Sequence, residues 1–342
     1  MEKEILEKLV KKKQELEKLK PLSDQSAQNL AEWLKVELTY SSNAIEGNTL
    51  TRAETAEVIE KGVTAVIKGK PLKDQLEAVN HAKAIDFIKT LATQKKGHQS
   101  ITEEDILAIH KTILTGIDDL WAGKYRKSEV FIRGATVELP QPQKVPYLMA
   151  EFTQWLEGQQ EAHPVKVAAD AHFKLVSIHP FVDGNGRTAR LLMNLVLLIN
   201  GYPIAIVRNE DRIEYLEAVN RGQTQNDLEP FYKLMVQAVE RSLDAYIAAA
   251  QGKPPLPFIS KGLRYMVRGE LLKIGKVASQ VGLPIPTIRY YISQGLIKPQ
   301  EYTKGGFMLF NRDVVDKIRE IKRLQKEERL SIAEIKRQLG QT

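Results

Sequence analysis

The residues of this 342-residue chain that could do chemistry are concentrated in twelve positions, 179–190, which read His-Pro-Phe-Val-Asp-Gly-Asn-Gly-Arg-Thr-Ala-Arg. Gly184, Asn185 and Gly186 stand ahead of an apolar helical pattern. There the backbone can turn tightly and present bare N–H groups at a helix N-terminus, a geometry that binds anions. Arg187 and Arg190 are three residues apart, so they share one face of the first helical turns and both reach a polyphosphate. Asp183 offers the kind of oxygen that Mg²⁺ prefers when it also bridges phosphates. His179 precedes that aspartate by four residues, titrates near neutrality and can take a proton from an incoming hydroxyl. A base, a metal ligand, an anion cradle and two guanidinium groups together point to nucleotide chemistry.

Helices must hold this string on both sides, and most of the chain up to about residue 250 does read as helix, with Ala- and Leu-rich 3.6-residue periodicity. Thr102-Glu103-Glu104-Asp105 ahead of Ile106 marks a helix start. The exception lies over 129–143, where Val130-Phe131-Ile132 and Thr136-Val137-Glu138-Leu139 flank Arg133-Gly134-Ala135. Two short β-prone runs around a glycine turn predict a hairpin set among helices. A helix beginning near Asp24 should end at Glu46, with Gly47 and Asn48 as its C-terminal stops. That places the Glu46 carboxylate at the unfavourable end of the helix dipole. Residues 1–20 carry one narrow apolar stripe (Ile5, Leu6, Leu9, Leu16, Leu19) closed by Pro21, which suits either a packing helix or a dimer strap.

Three prolines and a glycine within 251–257 read as a linker, and the charge changes at the same place. From Gln251 onward there are 18 basic and 8 acidic residues, whereas the first 250 carry 32 and 35, so the overall charge of +7 belongs to the C-terminal part. A mildly acidic body with a basic tail implies that only the tail meets a polyanion. The domains expected are an N-terminal helical region over 1–100, a catalytic core over 101–250, a linker over 251–260 and a small basic domain over 261–342. The absence of cysteine excludes disulfides and thiolate zinc sites. No run is apolar and long enough to span a bilayer, and Met1-Glu2-Lys3-Glu4 opens no secretory signal, so no membrane partner and a cytoplasmic location are expected.

The twelve-residue string resembles the signature of the Fic family, His-Pro-Phe-x-Asp/Glu-Gly-Asn-Gly-Arg-x-x-Arg, at every fixed position, and the likeness extends over about residues 20–250. It implies a mainly α fold: a Fic-type helical core with the signature between two central helices and a β-hairpin flap over the site. Gly123-Lys124-Tyr125-Arg126 is similar to the string that precedes this flap. The resemblance assigns His179 as general base toward a Tyr, Thr or Ser hydroxyl. Asp183 would hold Mg²⁺ against the phosphates of ATP. Gly184, Asn185 and Gly186 would cradle phosphate, and Arg187 and Arg190 would pair with the outer phosphates. Tyr215 and Asn220 would line the nucleoside pocket, while Val130, Phe131, Ile132, Arg133 and Gly134 would pair with an extended segment of a target protein, or of the chain itself. AMP would pass to the hydroxyl and pyrophosphate would leave. Ser42-Asn43-Ala44-Ile45-Glu46-Gly47 resembles the family's inhibitory motif, in which Glu46 would pair with Arg190 in the space of the γ-phosphate, Ser42 and Gly47 framing it. Some relatives also reverse the modification, and that second activity stays open here. So do a regulator whose Fic unit only senses nucleotide, against which the intact His179 argues, and a toxin-like kinase, which Gly186 disfavours.

In the basic tail, 271–282 and 284–295 form two short helical patterns around a glycine turn, followed by a β-prone segment at 305–311 and two amphipathic patterns, 314–324 and 332–339. Thr287-Ile288-Arg289-Tyr290-Tyr291 and Gly295-Leu296-Ile297-Lys298-Pro299 resemble the winged helix-turn-helix of the MerR family. That likeness implies a DNA partner, with Arg289 and Tyr290 on the backbone, Thr287 near base edges and Lys304 in the wing. MerR regulators dimerise through a long C-terminal helix that is not seen before Thr342, so a homodimer would have to form through the Fic part or residues 1–20.

Overall fold

The computed structural model describes residues 3–19, 24–62, 67–131, 137–251, 272–299, 301–302, 308–310, 313–326, 330, 332 and 334–335. The chain divides into two compact units, Met1–Pro257 and Phe258–Thr342.

The first unit is built around one helix that water does not reach. α8 (Asn185–Ile199) is buried from Arg187 through Leu197 on every face, which for a helix means a central place in the core. It is wrapped by α7 (Pro164–Ile178), α4 (Leu72–Gln94), α5 (Glu103–Leu114) and α2 (Asp24–Ile45). α6 (Val145–Glu157) and α10 (Glu229–Ala250) cover α7 from outside, α9 (Arg212–Gln225) packs on α10, and α3 (Arg52–Lys61) bridges α2 and α4. The predicted start at Thr102 is a full capping box: the Thr102 hydroxyl accepts from the Asp105 N–H and the Asp105 carboxylate accepts from the Thr102 N–H.

The N-terminal stripe serves packing. α1 (Lys3–Leu19) lies along α10, with Leu9 and Leu16 fully buried. Lys8 and Lys12 meet Glu240 at 2.7 and 2.8 Å. The hairpin expected over 129–143 lies partly outside the described residues, at 132–136, and the described flanks, 129–131 and 137–141, carry no strand.

In the second unit, α11 (Ile274–Val281), a left-handed turn at Gly282 and α12 (Ile285–Ser293) make the helix-turn-helix. β1 (Leu272–Lys273), β2 (Glu301–Tyr302) and β3 (Met308–Phe310) form an antiparallel sheet in the order β1-β3-β2, with Leu272 opposite Phe310 and Glu301 opposite Leu309. α13 (Asp313–Lys326) closes a core of Val277, Ile288, Tyr291, Ile297, Phe310 and Ile318. Among the described residues no helix is long and apolar enough to cross a membrane.

Asn194 interrupts the apolar run of α8 for a reason. Its amide donates to the Arg190 and Ala205 carbonyls at 3.0 Å each, and its Oδ1 accepts from the Ala205 N–H at 2.6 Å. The buried segment that follows α8 has no strand partner, so this amide satisfies both of its backbone groups at Ala205. Asn194→Ala is therefore expected to lower the unfolding free energy by about 2–4 kcal/mol, read from urea titrations, whereas a solvated surface asparagine would cost under about 0.5 kcal/mol.

Candidate active site

The turn between α7 and α8 is bent by two left-handed residues. His179 closes α7 with φ 52° and ψ 58°, and Gly184 opens α8 with φ 78°. A histidine in this conformation is uncommon, and the main chain around it is held from outside. The Arg126 N–H donates to the Pro180 carbonyl at 2.9 Å, and its guanidinium Nε donates to the His179 carbonyl at 2.8 Å. The side chain of Asn185 bonds twice to Phe181, accepting from its N–H and donating to its carbonyl, each at 2.9 Å. Asn185 therefore spends its amide on the loop, and only its backbone N–H is left for an anion. Nδ1 of His179 lies 3.3 Å from the Val176 carbonyl. A carbonyl can only accept, so this contact puts the proton on Nδ1 and leaves Nε2 as a lone pair.

Both arginines are buried, at 1% exposure each. Arg190 donates through Nε to the Ser42 hydroxyl (2.9 Å) and through Nη2 to the Ser42 carbonyl (2.9 Å) and Glu46 Oε1 (2.7 Å). Glu46 also lies against the first turn of α8: a Cβ on Gly186 would fall 2.4 Å from its Oε1. Gly47, at φ 97°, turns the chain directly after it. Arg187 forms ion pairs with Glu77 (3.0 Å) and Asp183 (3.2 Å). Its Nη1 is the atom that faces Glu77, and its buried Nε has no hydrogen-bond acceptor among the described residues, so the cradle retains an unspent donor. The turn that carries Glu46 is itself fixed on α4: Asn48 donates to Glu77 Oε2 (2.9 Å), and Thr49 donates through its N–H and hydroxyl to the Asp74 carboxylate (2.7 and 2.6 Å).

Residues 100–197 match the Fic/DOC family, and residues 272–341 match the MerR HTH family of regulatory proteins. The crystal structure of a Fic domain containing signaling protein from Bacteroides thetaiotaomicron is similar at a TM-score of 0.63 and 30% identity, covering 73% of this chain and 98% of that one. The chain belongs to the Fic family. Fic-1 from C. elegans is similar too, at 32% identity and a TM-score of 0.63 over 72% of this chain and 71% of that one. Curated relatives called protein adenylyltransferase Fic include one from Nematostella vectensis, 39% identical over 212 residues, and one from Aedes aegypti, 37% identical over 228. The chain spans about half of their length, 48% and 44%, and they cover 61% and 65% of it.

The Fic signature, from His179 to Arg190, and the Ser42–Gly47 segment thus meet in one place. Asp183 is half-exposed. Burial raises its pKa, but Arg187, the Gly184 N–H and Lys73 outweigh that and hold the carboxyl below its usual value. Its Oδ1 accepts from Gly184 (2.6 Å) and Arg187, whereas Oδ2 has only Lys73 at 3.7 Å. Among the described residues no group of three metal-ligating side chains converges. One charged carboxylate with an oxygen held only by a distant lysine suits Mg²⁺ held largely by phosphate. Asn220, expected in the nucleoside pocket, keeps a buried Oδ1 that has no hydrogen-bond partner among the described residues. Tyr215 is the other residue expected in the nucleoside pocket. It is 2% exposed, and its hydroxyl contacts His172 Nε2 (2.9 Å) and Arg190 Nη1 (3.4 Å), so it backs the arginine. Phe131 of the flap is 91% exposed and Val130 half-buried, while Ile132, Arg133 and Gly134 lie outside the described residues. In the second unit, α12 carries Thr287 half-buried, Arg289 exposed and Tyr290 at 48% exposure, and Lys304 lies outside the described residues.

Sequence reasoning did not reach Glu77 or His110, nor the roles of Asn48 and Arg126. Each acts through a neighbour tens of residues away; only His110, in line with Ile106 and Ile109 on one helix face, left a polar mark on an apolar stripe.

Burial is the main reason why imidazoles here stay neutral. It pushes His179 and His110 down to about 4 and His172 to about 3. His81, without a hydrogen-bond partner, is lowered by burial and then by Arg190 and Arg187. An unfolded histidine takes up its proton near pH 6.5, so acidification stabilises the unfolded chain first. Stability is accordingly expected to fall as pH drops from about 6.5 toward 4, each such group removing about 1.4 kcal/mol per pH unit. Urea unfolding at several pH values measures this slope, and His172→Phe should flatten it by about one group's share.

Proposed function

We propose that this chain is a self-inhibited protein adenylyltransferase that moves AMP from ATP to a hydroxyl of a protein side chain. The observation that carries the reading is the Glu46 carboxylate seated on Arg190 and Gly186: an anion of the protein itself fills a cradle suited to phosphate. In the active arrangement the outer phosphates take that place, with Arg187, Arg190 and the N–H groups of the first turn of α8 as donors. Asp183 is the residue that would hold Mg²⁺, which when bound offsets charge on the phosphates. His179 Nε2 accepts the proton of the target hydroxyl as its oxygen bonds to the α-phosphorus. The bond from that phosphorus to the bridging oxygen breaks, and pyrophosphate carries away the electron pair. Positioning and charge stabilisation supply most of the acceleration in such transfers. Because His179 is already neutral, proton acceptance needs no prior deprotonation above about pH 5.

Glu46→Gly is expected to raise AMP incorporation at least tenfold over the wild type, and His179→Ala in that background to remove it. Parallel incubations with α-labelled and γ-labelled ATP decide the reaction: protein label from the α position alone marks nucleotidyl transfer, and label from γ marks a kinase.

For the second unit we propose duplex DNA as partner, supported by its basic charge and the exposed Arg289 and Tyr290 on α12. A cytoplasmic location, where ATP and DNA are both at hand, goes with this proposal. Affinity for a duplex should fall linearly on a log–log plot against salt, and Arg289→Ala should reduce the slope by about one unit. A salt-independent affinity would mean that this unit docks on protein.

A further inference from the structure

We propose that His110, on α5 and outside the Fic signature, is a positioning residue on which the reacting loop is built. This rests on the reading of 179–190 as the nucleotide site. On the buried face of α5 the neighbours of His110 are Ile106, Ile109, Ile113 and Leu114, and it is itself 0% exposed. A leucine would fill such a place without burying polar atoms. The imidazole is instead used on both edges and one face. Its Nδ1 accepts from the Gly123 N–H at 3.0 Å, so the ring proton is on Nε2, which donates to the Asp183 carbonyl at 3.0 Å. Its face stacks on Phe181 with centroids 3.6 Å apart and planes 5° from parallel. Its Cδ2 edge lies against Gly184, where an added Cβ would come within 3.4 Å.

Three of the four residues from Phe181 to Gly184 thus rest on a single ring. The peptide that joins Asp183 to Gly184 is the consequential one. Its carbonyl is fixed by His110, which sets the direction of its N–H, and that N–H holds Asp183 Oδ1 at 2.6 Å. A rotated peptide would turn both the carboxylate and the entry into α8. At the other side of the ring, Gly123 belongs to the segment that ends in Arg126, which bonds His179 and Pro180. His110 therefore spans the two arms that grip the loop.

The test uses the full chain in the Glu46→Gly background. His110→Phe keeps volume and stacking but removes both hydrogen bonds, and His110→Gln restores a donor near the Nε2 position. We expect His110→Phe to lower kcat about tenfold to a hundredfold and to raise KM for MgATP, and His110→Gln to recover most of kcat. MgADP binding by calorimetry should weaken in the Phe variant more than metal-free ADP binding does. A His110→Phe enzyme within twofold of its parent in kcat and KM would reduce His110 to core filling and overturn the proposal. Should both variants fail to fold, nitrogen-15 NMR of the unmodified chain decides: a proton on Nε2 that exchanges slowly supports the assignment, and a proton on Nδ1 refutes it. If Glu46→Gly incorporates no AMP, the adenylyl-transfer reading fails, while calorimetry and NMR still judge His110.

Discussion

Two guanidinium groups buried at the start of one helix are the constraint from which the rest of this unit follows. Arg187 and Arg190 are inside the protein, and a charge without a partner there costs several kcal/mol. The N-terminus of α8 adds positive potential of its own. Anions must therefore be brought in, and the fold brings them from distant parts of the chain: Glu77 from α4 and Asp183 from the loop to Arg187, Glu46 from the end of α2 to Arg190. The packing of α2 and α4 against α8 is in this sense electrostatic as well as apolar. It also explains why a carboxylate can stand at the C-terminal end of α2, against the helix dipole: the loss there is small beside an ion pair at 2.7 Å to a buried arginine.

Burial acts on the histidines too, and on three of them so does the same positive field. His81, His110 and His172 are depressed by burial and by Arg187 or Arg190, and His179 by burial and Arg126, so the unit tolerates a dense group of imidazoles only because they are neutral. For His179 this suits the proposed role, since a general base must enter the reaction unprotonated. For the others it is a constraint that acid exposes. Neutral rings also have defined tautomers, and for His179 and His110 the tautomer is chosen by backbone groups: Val176 for His179, Asp183 and Gly123 for His110. The proton inventory of the site is thus written largely in the main chain.

Much of this was legible in the sequence, for reasons that can be named. The loop from His179 to Arg190 is contiguous, its glycines mark the turn and its arginines repeat at helical spacing, so local rules suffice. Glu46 was legible because it sits in a short motif with a helix stop behind it. Asn194 was visible only as an interruption of an apolar run, and the structure supplies the cause in the two backbone groups of Ala205. The contact of Tyr215 with Arg190 was not legible, because a helical pattern says which residues share a face, not whether that face meets a cavity or a neighbouring arginine. Glu77, Asn48, His110 and Arg126 act mainly across gaps from 13 residues, between His110 and Gly123, to 110, between Glu77 and Arg187, and no periodicity records such pairs.

Position 186 brings the brake and the chemistry onto one atom. Any side chain there would meet Glu46 Oε1 at 2.4 Å and Arg190 Nη1 at 3.1 Å. The first contact is with the flexible end of a glutamate, which can withdraw at little cost. The second is with a guanidinium held by Ser42 on two sides, which cannot. An alanine at 186 would therefore push the carboxylate off its seat and leave Arg190 where it is. On the proposed function it would also put a methyl group where a phosphate oxygen approaches the helix N-terminus. The glycine is then required twice over: once so that the protein's own anion can close the site, and once so that the substrate's anion can open the reaction. Because both anions compete for one patch of bare backbone, inhibition and turnover in this fold cannot be tuned independently through that residue, and the freedom to regulate is left to the turn that carries Glu46 and to the Asn48 and Thr49 bonds that hold it on α4.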